Sequence, residues 1–202
     1  MDEVHRLSEI ARERGLRICV AESLTSGRLA AEVGAGPDAS AWFAGGLVAY
    51  ATEVKERALG LAPGTDPCSA SCARQIAEGG LALFRADVCV STTGVGGPGP
   101  EDGHPPGTVY VGWATAQGSG HRALSLPGDP AQVVDEAVRA AVRLLLFHAE
   151  GARRPGPLRT PTAPAQPGTS PMRSGAPGAD AAASASSRSH SGRTSPTASA
   201  KG

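Results

Sequence analysis

Neither sign of charge is in excess in this chain: nineteen Lys and Arg balance nineteen Asp and Glu, and the isoelectric point is near 7. The electrostatic reason to expect nucleic acid or an anionic membrane as a partner is therefore missing, and a small-molecule partner is expected instead. No apolar run approaches the length of about 18 residues that a membrane span needs. The opening stretch MDEVHRLSEIARERG is charged where a secretion signal would be apolar, so the expected location is cytoplasmic. Cysteine is sparse. Cys19 and Cys89 fall in apolar strand-like runs, where a thiol acts as a small hydrophobe, and Cys68 and Cys72 share a helical face without the further ligands of structural zinc. No metal and no cofactor are expected. Histidine offers no triad: His5 and His148 fall on helices, His104 in a loop, His121 beside a strand and His190 near the end of the chain.

Lysine is the scarcest charged residue, since seventeen of the nineteen Lys and Arg are arginine and the two lysines are Lys55 and Lys201. Arginine serves wherever only a positive charge is needed, but it cannot lose its proton near neutrality, whereas a desolvated lysine can. Aromatic residues are absent from Gly151 to Gly202, a stretch of Ala, Ser, Pro, Gly, Thr and scattered Arg that cannot bury enough apolar surface to offset the entropy of ordering. Residues 151–202 are therefore expected to form a disordered tail, and residues 1–150 a single domain.

Within that domain Val4, Leu7, Ile10 and Ala11 recur at helical spacing and Gly15 supplies a stop. LRICVA reads as a strand and ESLTSGRLAAEV as the turn into a second helix. GPDASAWFAGG reads as a loop or short helical turn, LVAYAT as a strand, EVKERALGL as a helix, and SASCARQIAEGGLALFRA as a helix weakened by Gly79 and Gly80. DVCVSTT and GTVYVGWATAQG are strands, with GHRALSL expected antiparallel across a turn at Gly118 to Gly120. Asp129 and Gln132 form a capping pair, Pro130 suits the first helical position, and AQVVDEAVRAAVRLLLFHAE is a long amphipathic helix. Helices alternate with strands, then strands run together: the expected class is α/β, three layers, with helices flanking a mixed sheet.

Two stretches bear on chemistry. STTGVGGPGPEDG contains G-x-G-x-x-G at Gly94, Gly96 and Gly99, after a strand. A dinucleotide-binding loop needs a helix next and an acid about 20 residues on. Here Pro98, Pro100, Pro105 and Pro106 lead into a second strand, which excludes that fold. The second stretch, SAWFAGGLVAYATEVK, brings together a serine, a tyrosine and the one lysine of the folded part. A serine hydroxyl becomes a nucleophile when a base takes its proton, and a lysine with its pKa lowered by burial can be that base. At an ordinary pKa of about 10.4 roughly one lysine in a few thousand is neutral at pH 7, so the lowering is essential.

The chain resembles the C-terminal amidohydrolase domain of the competence/damage-inducible CinA proteins, whose stand-alone members are nicotinamide mononucleotide deamidases. The resemblance covers about Val4 to Glu150 and rests on AESLTSGRLA, SAWFAGGLVAYATEVK, TTGVGGPGPEDG with PPGTVYVGWAT, and LPGDPAQV. It implies Ser40 as nucleophile, Lys55 as general base and Tyr50 as a supporting residue. It also implies substrate contacts from Thr93, Gly94 and Gly96 in the glycine loop, and from Ser23, Thr25 and Gly27 at the start of a helix, where amides and the helix dipole favour an anion. The bland alternatives are caps and turns. A nucleotide substrate and a homo-oligomer are expected on the same ground. The chain departs from the family pattern at Pro130, where arginine is usual, at Ala70, where an acid is usual, at Ala51 and Thr52, and at Ser26, where glycine is usual. An amidase is thus expected, with a nucleotide-binding or regulatory module of weakened catalysis as the alternative. A strand of about six residues spans about 20 Å, so Ser40 before it and Lys55 after it meet only if the chain folds back or a second subunit supplies one of them.

Overall fold

The computed structural model describes residues 3–152. Helix α1 (Glu3–Arg14) buries Val4, Leu7, Ile10 and Ala11, and Gly15, at φ +63°, ends it in the left-handed conformation that glycine adopts freely. The chain continues through β1 (Ile18–Glu22), α2 (Arg28–Gly34), α3 (Ala39–Trp42), β2 (Phe43–Val48), α4 (Thr52–Leu59), α5 (Ala70–Phe84), β3 (Val88–Gly94), β4 (Thr108–Thr115), β5 (Gly118–Ser125) and α6 (Pro130–Gly151).

The five strands form one sheet in the order β2-β1-β3-β4-β5. β1 runs parallel to both β2 and β3, whereas β3–β4 and β4–β5 are antiparallel. All five residues of β1 are buried, as expected of a central parallel strand covered on both faces. On one face α1 and α6 pack with Ile18, Val20, Val88 and Val90; on the other α5 covers Cys19, Ala21 and Cys89. The expected three-layer mixed α/β architecture is the one observed.

Two elements sit differently from the reading of the sequence. β2 is FAGGLV, displaced toward the amino terminus from the expected LVAYAT, because Gly45 and Gly46 belong to the strand. A Cβ at Gly46 would lie 2.7 Å from the Ala30 Cβ and 2.8 Å from Val20 Cγ2, so glycine lets α2 lie on the sheet there. The two glycines of α5 have a packing role as well: a Cβ at Gly79 would stand 1.9 Å from the Leu59 carbonyl oxygen. The β4–β5 turn is Ala116–Gln117, since Thr115 already pairs with Gly118.

The cap of α6 follows the sequence closely. Asp129 accepts from the Gln132 amide at 2.9 Å while the Gln132 side chain accepts from the Asp129 amide at 2.9 Å. At its other end α6 includes Gly151, and Ala152 is buried, with Arg14 donating to the carbonyls of Ala149 and Ala152 at 3.3 and 3.0 Å. The domain therefore runs to at least Ala152. The rest of the expected tail lies outside the described residues.

Candidate active site

Parallel strands that share a direction present all their carboxyl ends on one side, and crevices form there. A cavity of about 450 Å³ opens at that side, bounded by the ends of β1 and β3, the turn from β2 into α4, the approach to α5 and the start of α6.

Lys55, in the first turns of α4, forms part of its wall with only 2% of its surface exposed. Its Nζ donates to the Tyr50 carbonyl oxygen at 2.7 Å. Desolvation lowers its pKa from the ordinary value, while the nearby Cys72 thiol, Glu101 and Glu53 oppose the shift. The direction of the shift is the one a lysine base requires. Tyr50 contributes its backbone to that contact; its side chain is 68% exposed at the rim.

Ser23, the residue just beyond β1, lies on the same wall and is buried. Its amide donates to the Thr92 carbonyl at 2.9 Å, which fixes the backbone against β3. Its hydroxyl bonds to no protein group among the described residues, so it is available to a ligand. Ser40 is elsewhere. It is exposed in the single turn of α3, before β2, whereas Lys55 and Tyr50 follow β2. Because β2 pairs in parallel with β1, from Phe43 beside Ile18 to Val48 beside Glu22, Ser40 stands at the amino end of the sheet and the cavity at the carboxyl end. Within one chain Ser40 and Lys55 do not meet, and the chain does not fold back along the strand.

The residues expected to contact substrate divide in the same way. Thr93, Gly94 and Gly96 line the cavity. Thr93 donates its hydroxyl to the Pro67 carbonyl at 2.5 Å, tying β3 to the approach to α5. Gly94, at φ +145°, could not carry a side chain, since its Cβ would lie 2.2 Å from the Thr108 carbonyl oxygen. The amides of Gly96 and Gly97 donate to no protein group among the described residues. Thr25 and Gly27 do not reach the cavity, because an internal anion holds them. Glu22, fully buried, accepts from Thr25 Oγ1 at 2.6 Å and from the amides of Gly27, Leu29 and Ala30 at 3.0, 3.1 and 2.8 Å. The start of α2, expected to receive an anion of the substrate, receives this carboxylate instead. Thr25 also pairs with Thr92 at 2.7 Å, so the loop that carries Ser23 is held from both sides.

Cavity residues that sequence reasoning did not assign to the site include Cys68, weighed there only as a zinc ligand, and Glu101 and Asp102. Burial, with Asp66 adding to it, pushes the Cys68 thiol up to about 11, so it stays protonated near neutrality. Glu101 sits on the loop after the glycines, which closes on itself through the Glu101–His104 bridge and is pinned by His104 to Asp66 at 2.9 Å. Only the three-dimensional arrangement marks these residues; Glu22 alone had a signal in the sequence, as an acid between an apolar strand and a hydroxyl-rich turn.

A mixed sheet between two helical layers, with a polar cleft at the carboxyl ends of its parallel strands, defines a three-layer α/β protein. The chain belongs to the CinA C-terminal domain family, which residues 2–148 match. It is 39% identical over 137 residues to a CinA-like protein of Frankia casuarinae, covering 66% of this chain and 32% of that protein. A competence-damage inducible relative from Geobacillus kaustophilus is 46% identical over 110 residues, 52% of this chain and 27% of the relative. The chain thus spans about a third or less of these curated relatives. The fold resembles the crystal structure of a CinA superfamily protein from Klebsiella pneumoniae with a TM-score of 0.70 at 32% identity, over 74% of this chain and 96% of that one. A competence/damage inducible protein from Agrobacterium tumefaciens matches with a TM-score of 0.67 at 26% identity, over 74% and 97%. Among the described residues no helix is long and apolar enough to cross a membrane.

Proposed function

We propose that the chain hydrolyses the carboxamide of a nicotinamide nucleotide to the acid and ammonia, with Ser23 as nucleophile in place of Ser40. The observation that carries this reading is the presence of Ser23 and the buried Lys55 on the wall of one cavity. In this scheme neutral Lys55 accepts the Ser23 proton as Oγ bonds to the carboxamide carbon. The same proton passes to the departing nitrogen, which leaves as ammonia. Water then attacks the acyl-serine, Lys55 takes its proton, and the proton returns to Oγ. The amides of Gly96 and Gly97, with no protein acceptor, suit the oxygen that becomes negative at each tetrahedral stage. Tyr50 orients Lys55 through its carbonyl oxygen, and Thr93 with Gly94 shapes the wall.

Ammonia release from nicotinamide mononucleotide by the purified chain tests the reaction. Activity that survives Ser23→Ala and disappears with Ser40→Ala would restore Ser40, supplied to the Lys55 site by another copy of the chain.

A further inference from the structure

The loop from Gly96 to Pro106 lines one side of the cavity and is held unevenly. Its foot is packed: a Cβ at Gly96 would lie 3.7 Å from Leu24 Cδ1, and one at Gly97 3.3 Å from Pro106 and 3.8 Å from Pro130. Its tip is not, since a Cβ at Gly99 or Gly103 would meet nothing within 4 Å. At the foot the Thr108 amide donates to the Pro105 carbonyl at 3.2 Å. Beyond that the loop has one hydrogen bond to the rest of the protein among the described residues, from His104 Nε2 to Asp66 Oδ2 at 2.9 Å. Asp66 is a firm anchor: its Oδ1 accepts from the Cys68 amide at 2.8 Å, and its carbonyl accepts at 2.7 Å from the hydroxyl of Ser69, the cap of α5. The pair itself is partly exposed, 26% for His104 and 44% for Asp66, and such contacts are weak enough to be made and broken readily.

Glu101 is tied to His104 through the backbone: its amide donates to the His104 carbonyl at 3.1 Å and its carbonyl accepts from the His104 amide at 2.9 Å. It shares the cavity wall with Lys55, as does Asp102 beside it. The groups whose charge acts on Lys55 are Glu53 on its own helix, the Cys72 thiol on α5 and Glu101, and of these Glu101 alone stands on a loop. We propose that the His104–Asp66 pair is a latch that holds this loop, and with it the Glu101 carboxylate, over the cavity beside Lys55. Latched, Glu101 opposes the loss of the Lys55 proton and so limits how far burial lowers its basicity. Unlatched, the tip of the loop has nothing to pack on, and the carboxylate leaves with it. His104 and Asp66 are positioning residues in this scheme, acting on Lys55 through Glu101. The bearing on the rate rests on the amidase reading above; the latch itself does not.

Lys55 and Lys201 are the two lysines of the chain, so isotope-labelled lysine gives two side-chain signals in the full chain, assigned by Lys201→Arg. The test follows the titration of Lys55 by NMR together with hydrogen exchange of the Glu101 amide. His104→Ala should speed that exchange at least about fivefold and move the Lys55 titration down by about 0.5 unit. Glu101→Gln should move the titration as far without loosening the loop. His104→Gln, whose amide nitrogen can still donate to Asp66, should leave both readings at wild type. Unchanged exchange in His104→Ala overturns the latch. A loosened loop with Lys55 titrating as in wild type overturns the coupling to Lys55, as does an unchanged titration in Glu101→Gln, and His104→Gln behaving as His104→Ala overturns the hydrogen bond as its cause. If the chain releases ammonia from nicotinamide mononucleotide, the rise of kcat/KM with pH should move down by the same amount in His104→Ala. If it releases none, the NMR and exchange readings still decide the latch, so the two readings fail separately.

Discussion

At the carboxyl ends of β1 and β3 the protein buries polar groups; at their amino ends it buries hydrocarbon. Glu22, Ser23, Thr25, Thr92 and Thr93 are all buried at the first end, and Lys55 is buried beside them. At the second, Leu16, Ile18, Trp42 and Val88 are buried and the ionic groups stay outside, as in the Arg12–Asp38 pair at 2.7 Å with 43% and 65% of its side chains exposed. An internal polar group costs stability unless every donor and acceptor is met, and a hydrocarbon core carries no such obligation. One end of the sheet is built to hold and position, the other to stabilise. The two serines that could be nucleophiles lie one at each end.

Substitutions at the two ends should therefore separate activity from stability. Ser23→Ala should lower ammonia release at least about a thousandfold, while Ser40→Ala leaves it within about twofold. Steady-state assays of the two proteins side by side decide between them, and the reverse result would place the chemistry at the amino end.

Lys55→Arg should lower kcat/KM about a hundredfold or more, since arginine keeps the charge but cannot take a proton. In the wild-type protein kcat/KM should rise with pH through the lowered pKa of Lys55 and level off above it. Stability should follow the same sign. Between the lowered value in the fold and the ordinary value of 10.5, the unfolded chain binds more protons than the folded one, so stability rises with pH across that window. Lys55→Met should remove that rise and melt higher than wild type at neutral pH. A wild-type melting temperature with no more pH dependence than that of the Met variant would mean that the burial of Lys55 does not perturb it.

Glu22→Ala should cost about 3 kcal/mol or more in denaturant unfolding, because it leaves three amides and a hydroxyl without their acceptor. Arg12→Ala, which breaks the exposed pair at the other end, should cost less than about 1 kcal/mol. Equal costs would mean that the carboxylate is not what holds the Ser23 loop.

The smallest effect is a gain. Arg85 closes α5 at φ +49°, a conformation that glycine adopts with less strain, so Arg85→Gly should stabilise by about 0.5–1 kcal/mol without altering the rate. A change in rate would couple the amino end to the site.

Much of the fold is legible along the chain because its signals are local. The spacing of Val4, Leu7, Ile10 and Ala11, the Asp129–Gln132 cap and the apolar run of β3 each depend on neighbours within a few residues. The displaced β2 shows where local signals fail: Gly45 and Gly46 look like a loop until α2 is laid across them. The candidate site was half legible. The scarcity of lysine drew notice to Lys55, and the family resemblance implied Thr93, Gly94 and Gly96, all of which line the cavity. Thr25 and Gly27 misled because hydroxyls and a glycine before a helix look the same whether they await an outside anion or hold an inside one.

The sequence by itself determined the α/β class, the order of its elements and the scarcity of lysine that draws notice to Lys55, since periodicity, capping and residue chemistry are properties of short segments. Which serine shares the cavity with that lysine was left to the tertiary structure. Ser40 is nearer to Lys55 along the chain than Ser23 is, but a parallel strand separates it from the cavity. The crossover from β1 through α2 and α3 returns the chain to the amino end of the sheet, so residues beyond β1 and residues beyond β2 come together at the carboxyl end. Distance along the chain carries no information about which end of a strand a residue occupies; the direction of pairing does.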